Sequence, residues 1–285
     1  MTSRELFQLP DGTLRAPWRL LGFFVIGTMC ATVLGSASAV FARSKPGAAV
    51  SSWIFLVSLL VAHAVMLRAV DRLPWTVVGL ARDQARPRYV AGGWLIGALA
   101  IGVPSVVLLG TGLLDVYRMP GGAADWWRWA ASMALFLLPA ALWEELVFRG
   151  YPFVVLRKAI GLPGALGLTS VLFGLAHVGN RPGSLLPLVL VVLAGFFLAA
   201  VLLATQSLWA AWMAHFAWNW VMAALLHTDV SGFLPAPPPA YRVADAGPDW
   251  VTGGAWGPEG GVAAGLGMTA GLAYLFARWR CRGGE

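Results

Sequence analysis

Long stretches nearly free of charge recur from one end of this chain to the other. The stretch 184–204, for example, holds no Asp, Glu, Lys or Arg. About twenty consecutive apolar residues suffice for a helix to cross the hydrocarbon core of a bilayer. About eight such stretches are present, at roughly 18–41, 50–69, 90–112, 130–155, 163–179, 184–204, 207–227 and 260–278. Their apolar residues run continuously and do not alternate, which argues against a membrane β-barrel. Only 12% of the 285 residues are charged and 59% are hydrophobic, too apolar a balance for a soluble domain of this size. The expected fold class is therefore all-α: a polytopic membrane protein with about eight transmembrane helices, in one integral membrane domain over 1–285.

The net charge of +7 is explained by where the basic residues fall, and it does not call for a nucleic-acid partner. If the N-terminus is placed inside, 14 of the 20 Lys and Arg fall on the inner side, among them Arg68, Arg72, Arg82, Arg86, Arg88, Arg149, Arg157 and Lys158. Arg43, Lys45, Arg118, Arg128, Arg181 and Arg242 fall outside. The expected location is a cytoplasmic membrane, crossed several times, with both termini cytoplasmic. The polar start, Met1 to Ala16, leads into an apolar run too long for a signal-peptide core, so the first span is expected to stay. Cys30 and Cys281 give neither a disulfide framework nor metal-binding spacing. The segment 228–259, rich in Pro, Gly and Ala, reads as a loop or short elements over the outer face.

Against this background two adjacent carboxylates stand out. Glu144 and Glu145 lie within an expected span whose only other charge is Arg149. A carboxylate at membrane depth costs about 3 kcal/mol on insertion scales, and such residues mark functional sites facing a bundle interior. Residues four apart share a helix face, so Glu145 is placed to pair with Arg149, while Glu144, rotated by about 100°, is left for chemistry. Two further i, i+4 pairs sit in apolar segments: Phe173 with His177, and His215 with Asn219. Glu144 and His177 lie at similar distances before and after the turn near Ile160 to Gly164, so an antiparallel hairpin would bring them to similar depth.

In order and type these three motifs (Glu144-Glu145-x-x-x-Arg149, Phe173-x-x-x-His177 and His215-x-x-x-Asn219) resemble those of the CPBP family of intramembrane peptidases, the CAAX-protease and bacteriocin-processing or Abi family. The resemblance covers about 130–227. It implies an intramembrane endopeptidase that hydrolyses a peptide bond in a membrane-associated or lipid-modified substrate. It also implies roles: Glu144 and His177 activate a water, His215 and Asn219 stabilise the oxyanion, Arg149 holds Glu145, and Phe173 packs against the site. These roles agree with the residue chemistry, since a carboxylate and an imidazole form a general-base pair and ring and amide N–H groups are oxyanion donors.

Cofactor use stays open between none and zinc, in which case Glu144, His177 and His215 would be the ligands and the enzyme a metalloprotease. The HExxH zinc signature is absent. Two other functions compete: a proton-coupled transporter built on the same glutamates and histidines, and a non-catalytic family member acting in bacteriocin immunity or partner binding. Expected partners are membrane lipid and a peptide or protein substrate. His63 and His227 carry no motif and read as structural. Trp126, Trp127 and Trp129 read as an interfacial belt. Arg82, Arg86 and Arg88 read as a topology signal or an anionic-lipid contact.

Overall fold

The computed structural model describes residues 6–180, 185–234 and 236–281, apart from the side chains of Trp279 and Cys281. Arg4, Arg181, Arg282 and the expected turn at 181–183 lie outside the described residues. The chain is all-α with a small β ribbon. Its helices are α1 (Ala16–Ala42), α2 (Ala48–Val65), α3 (Pro87–Gly110), α4 (Ala123–Arg149), α5 (Tyr151–Ala176), α6 (Leu185–Thr205), α7 (Leu208–Trp220), the short α8 (Asp249–Thr252) and α9 (Val262–Cys281). Wider π turns, Met66–Val70 and Val221–Leu226, extend α2 and α7.

Among the described residues, five helical stretches are long and apolar enough to cross a membrane: Ala16–Ala42, Ala48–Val70, Pro87–Gly110, Ala123–Ala176 and Leu185–Thr205. Val262–Arg278 is a shorter apolar helix. The stretch 123–176 departs from the expected two spans. α4 starts earlier than expected and ends at Arg149, where Gly150 leaves helical geometry. The turn of the hairpin comes at Gly161, whose φ of 73° interrupts α5. Only glycine adopts that left-handed geometry without steric cost.

α3 and α7 pack closely because glycines on α3 meet alanines on α7. A Cβ at Gly93 would collide with the backbone of Ala210, and one at Gly97 with that of Ala214. Small residues of this kind let membrane helices approach. α4 is fastened to the other side of α7 by indole N–H groups donating to backbone carbonyls: Trp212 to Leu138 (2.8 Å), Trp220 to Ala130 (3.0 Å) and Trp129 to Ala223 (2.9 Å). Of the expected belt, Trp127 is 66% exposed, whereas Trp129 turns inward to make one of these bonds.

The joint between α4 and α5 is anchored by a buried polar network with no motif in the sequence. Arg19 of α1 forms an ion pair with Asp71 and donates to the Tyr151 hydroxyl (3.1 Å), which donates to Asp71 (2.7 Å). Arg19 is thus more than a topology signal. His63 is structural, as expected. Its Nε2 accepts from the Tyr151 backbone N–H (3.0 Å), so its Nδ1 carries the proton that goes to the Leu59 carbonyl (2.8 Å).

On one face of the bundle, β1 (Leu114–Arg118) pairs antiparallel with β2 (Tyr241–Asp245), Leu114 opposite Asp245. The segment expected as a loop or short elements folds around this ribbon. His227 accepts no solvent-facing role. It is buried, stacks on Tyr241 at 4.2 Å and bonds its carbonyl at 2.6 Å.

The α3–α7 contact gives a test of opposite signs. Gly97→Ala should destabilise the protein by about 1–3 kcal/mol through overpacking. Gly92→Ala, where a Cβ meets nothing within 4 Å, should be neutral or stabilise by up to about 1 kcal/mol. Thermal unfolding midpoints in detergent read both.

Candidate active site

Glu145 and Arg149 share a face of the last turns of α4, both fully buried, with Nη1 of Arg149 3.1 Å from Oε1 of Glu145. The expected pair is present, but the arginine does more. Its Nη2 donates to the Gly195 carbonyl of α6 at 3.0 Å. Its guanidinium lies over the Phe173 ring, 4.4 Å from the centroid. A planar, delocalised cation suits this combination of stacking and forked hydrogen bonding, which an ammonium group cannot reproduce.

Glu145 has a second partner, 70 residues away in sequence. His215 Nδ1 lies 2.9 Å from Oε1 of Glu145. A carboxylate accepts, so this nitrogen carries a proton. The other ring nitrogen, Nε2, lies 3.8 Å from Oε2 of Glu144, too far for a direct hydrogen bond. The same ring thus faces both carboxylates. Glu144 Oε2 is buried and has no hydrogen-bond partner among the described residues.

His177 caps the C-terminal end of α5. Its Nδ1 bonds the Phe173 carbonyl at 2.8 Å. Since a carbonyl only accepts, Nδ1 is the donor, and the neutral ring keeps its lone pair on Nε2. Phe173 connects the two histidines, meeting His177 edge-on at 4.9 Å and His215 at 5.9 Å between ring centres. One phenylalanine therefore supports both imidazoles and the arginine.

Glu144, His177, His215 and Asn219 line a single cavity of about 440 Å³ together with Phe173. Its walls come from α4, the end of α5, α6 and α7, and it extends past Met133, Phe136 and Leu137 to the loop 230–234. α7 begins next to Gly79 and Gln84, where Leu208 N–H donates to Gly79 and Ser207 to the Gln84 carbonyl. The cavity thus runs toward the end of α7 remote from Arg82, Arg86 and Arg88.

A second carboxylate borders the cavity, one that the sequence did not single out. Glu259 is buried and accepts from Trp218 Nε1 (2.8 Å) and from the Ser231 backbone N–H (2.5 Å) and hydroxyl (2.7 Å). It ties the loop 230–234 to α7 one residue before Asn219. Its only sequence signal is an acidic residue in a Gly-rich segment, which predicts solvent exposure instead. Among the described residues, no three His, Cys, Asp or Glu are gathered as a metal ion requires. Glu144, His177 and His215 all line the cavity.

The unequal surroundings of the two adjacent glutamates make a stability contrast. Arg149→Met leaves Glu145 buried without its cation and should cost about 3–5 kcal/mol. Glu144→Gln removes a charge whose Oε2 has no hydrogen bond to lose, and should change stability by less than about 1 kcal/mol. Equal losses in unfolding midpoint would contradict this division.

Residues 126–221 match the family model described as Type II CAAX prenyl endopeptidase Rce1-like. The matched segment contains all three motifs and nearly coincides with the 130–227 core expected from them. No curated protein and no solved structure gives a match. Over residues 126–221 the chain is therefore similar to the Rce1-like endopeptidases, consistent with the CPBP intramembrane peptidases, and this likeness supports a membrane-embedded peptidase, a hydrolase acting on a peptide or protein substrate.

Proposed function

We propose that the chain is an intramembrane endopeptidase of the metal-free glutamate type, with Glu144 and His177 as the water-activating pair. The observation that carries this reading is that Glu144, His177, His215 and Asn219, from three helices, line one cavity. Glu144 is the carboxylate not committed to Arg149, and His177 keeps a lone pair on Nε2. A water held between them attacks the scissile carbonyl carbon, and Glu144 takes its proton. The C–N bond then breaks, and that proton passes to the leaving amine. The carbonyl oxygen, negative in the tetrahedral intermediate, is met by the Asn219 amide and by Nε2–H of His215. The latter requires both ring protons on His215. The carboxylates of Glu144 and Glu145 on either side balance such an imidazolium, and with Arg149 the cluster sums to neutrality.

The apolar stretch of wall from Met133 to Leu137 suits an apolar or lipid-modified peptide segment. The arginine-rich face, by the positive-inside bias, is the cytoplasmic one in a cell membrane, with both termini on that side. Substrate then enters the cavity from the opposite side, beside the loop 230–234. The whole chain forms a single membrane domain around the 130–227 core. Zinc held by Glu144, His177 and His215 is the competing form of the same site.

Peptide-library cleavage by purified protein tests the proposal. Glu144→Gln should lower the rate by about 10²–10⁴-fold and Asn219→Ala by about 10²–10³-fold, both at unchanged fold. Unaltered cleavage in Glu144→Gln would sink the assignment. A stoichiometric, chelator-sensitive zinc in active protein would replace the metal-free form with the zinc form. Proton-dependent uptake into vesicles without any peptidase activity would point to a transporter, and inactivity in both assays to a binding role.

A further inference from the structure

A second cavity, of about 330 Å³, opens on the face of the bundle opposite the loop 230–234. It lies between the short 3₁₀ turn Trp75–Val78, the start of α5 and the end of α6. Among the described residues, three cationic side chains border it, Arg149, Arg157 and Lys158, and no carboxylate does. Arg157 and Lys158 are exposed and make no ion pair among the described residues. Arg149 forms the inner end. Its hydrogen bonds to Glu145 and Gly195 use two of the five N–H groups a guanidinium carries. Thr76 and Gln206 add polar groups at the rim, while Phe153 and Leu202 make part of the wall apolar.

We propose that this cavity binds the phosphate headgroup of an anionic phospholipid. Arg157 and Lys158, two positive charges without an ion-pair partner among the described residues, flank the Glu145-paired Arg149 around one concavity and call for an anion, and arginine in particular favours the planar, multidentate contacts a phosphate offers. The apolar wall favours a ligand whose headgroup is continuous with acyl chains over a free ion or an acidic peptide. The position fits, because basic pockets between helices at the cytoplasmic end of a membrane bundle bind anionic headgroups. The bound phosphate would lie against the far side of the arginine that holds Glu145. This inference concerns a different cavity from the catalytic one and does not depend on the peptidase reading.

Native mass spectrometry of the full chain, titrated with short-chain phosphatidylglycerol, measures the site directly. Arg157→Gln combined with Lys158→Gln should weaken retention about thirtyfold, from two near-surface charges. Arg278→Gln combined with Arg280→Gln, exposed and outside the cavity, should stay within about threefold of wild type. Phosphatidylcholine of the same chain length should not be retained. Competition by inorganic phosphate at equal concentration would assign the site to a free anion, and tighter retention of an acidic peptide would assign it to a protein; either overturns the lipid. Equal weakening in the two double variants would reduce the effect to diffuse surface attraction and overturn the site itself. None of these readouts uses cleavage, so failure here is distinguishable from failure of the peptidase reading.

Discussion

The organisation of the bundle depends on one buried carboxylate. Glu145 is inaccessible to solvent and accepts from both Arg149 and His215 on a single oxygen, Oε1. A lone ion in this setting would cost several kcal/mol, so the helices carrying its partners are constrained to meet there. Arg149 adds the Gly195 carbonyl and the Phe173 ring to the set, which brings in α6 and α5. His215 brings in α7, whose backbone lies against Gly93 and Gly97 of α3. Four helices are thereby fixed around the cavity by hydrogen bonds that admit only a narrow range of geometry, in a medium where apolar packing alone is a weak guide to helix placement.

What could be read beforehand was set by local spacing. Glu145 and Arg149, Phe173 and His177, and His215 and Asn219 each lie one helical turn apart, so their shared faces follow from helix geometry once an apolar run marks the helix. The apolar runs themselves located the helices to within a few residues, save where Gly150 and Gly161 divide 123–176 differently from expectation. The second partner of Glu145 was not legible, because no periodicity connects α4 with α7. The same holds for Glu259 with Ser231 and Trp218, and for Arg19 with Asp71 and Tyr151. Each of these joins segments far apart in sequence, and each residue taken alone reads as an ordinary loop acid or flanking charge. The β1–β2 ribbon escaped notice for a related reason: two five-residue strands in polar, Gly-rich surroundings carry almost no pattern.

Hydrolysis within a bilayer sets two demands that pull in opposite directions. In the proposed reaction the nucleophile is water, yet the carboxylate that activates it must sit among helices that exclude water from their packed faces. On that proposal the cluster meets both because its charges are unequally engaged. Glu145 and Arg149 are buried and have structural partners in each other, His215 and the Gly195 carbonyl. Glu144, one residue away and about 100° round the helix, borders the cavity with an oxygen that nothing in the described protein occupies. Arg149 in turn separates this cavity from the cationic one behind it. A charge placed in that second cavity acts on the same guanidinium that holds Glu145, and so on the ring of His215 and the field at Glu144. Four side chains in sequence, Arg149, Glu145, His215 and Glu144, connect the cationic cavity with the one that Glu144 borders, each meeting the next at 3.1, 2.9 and 3.8 Å.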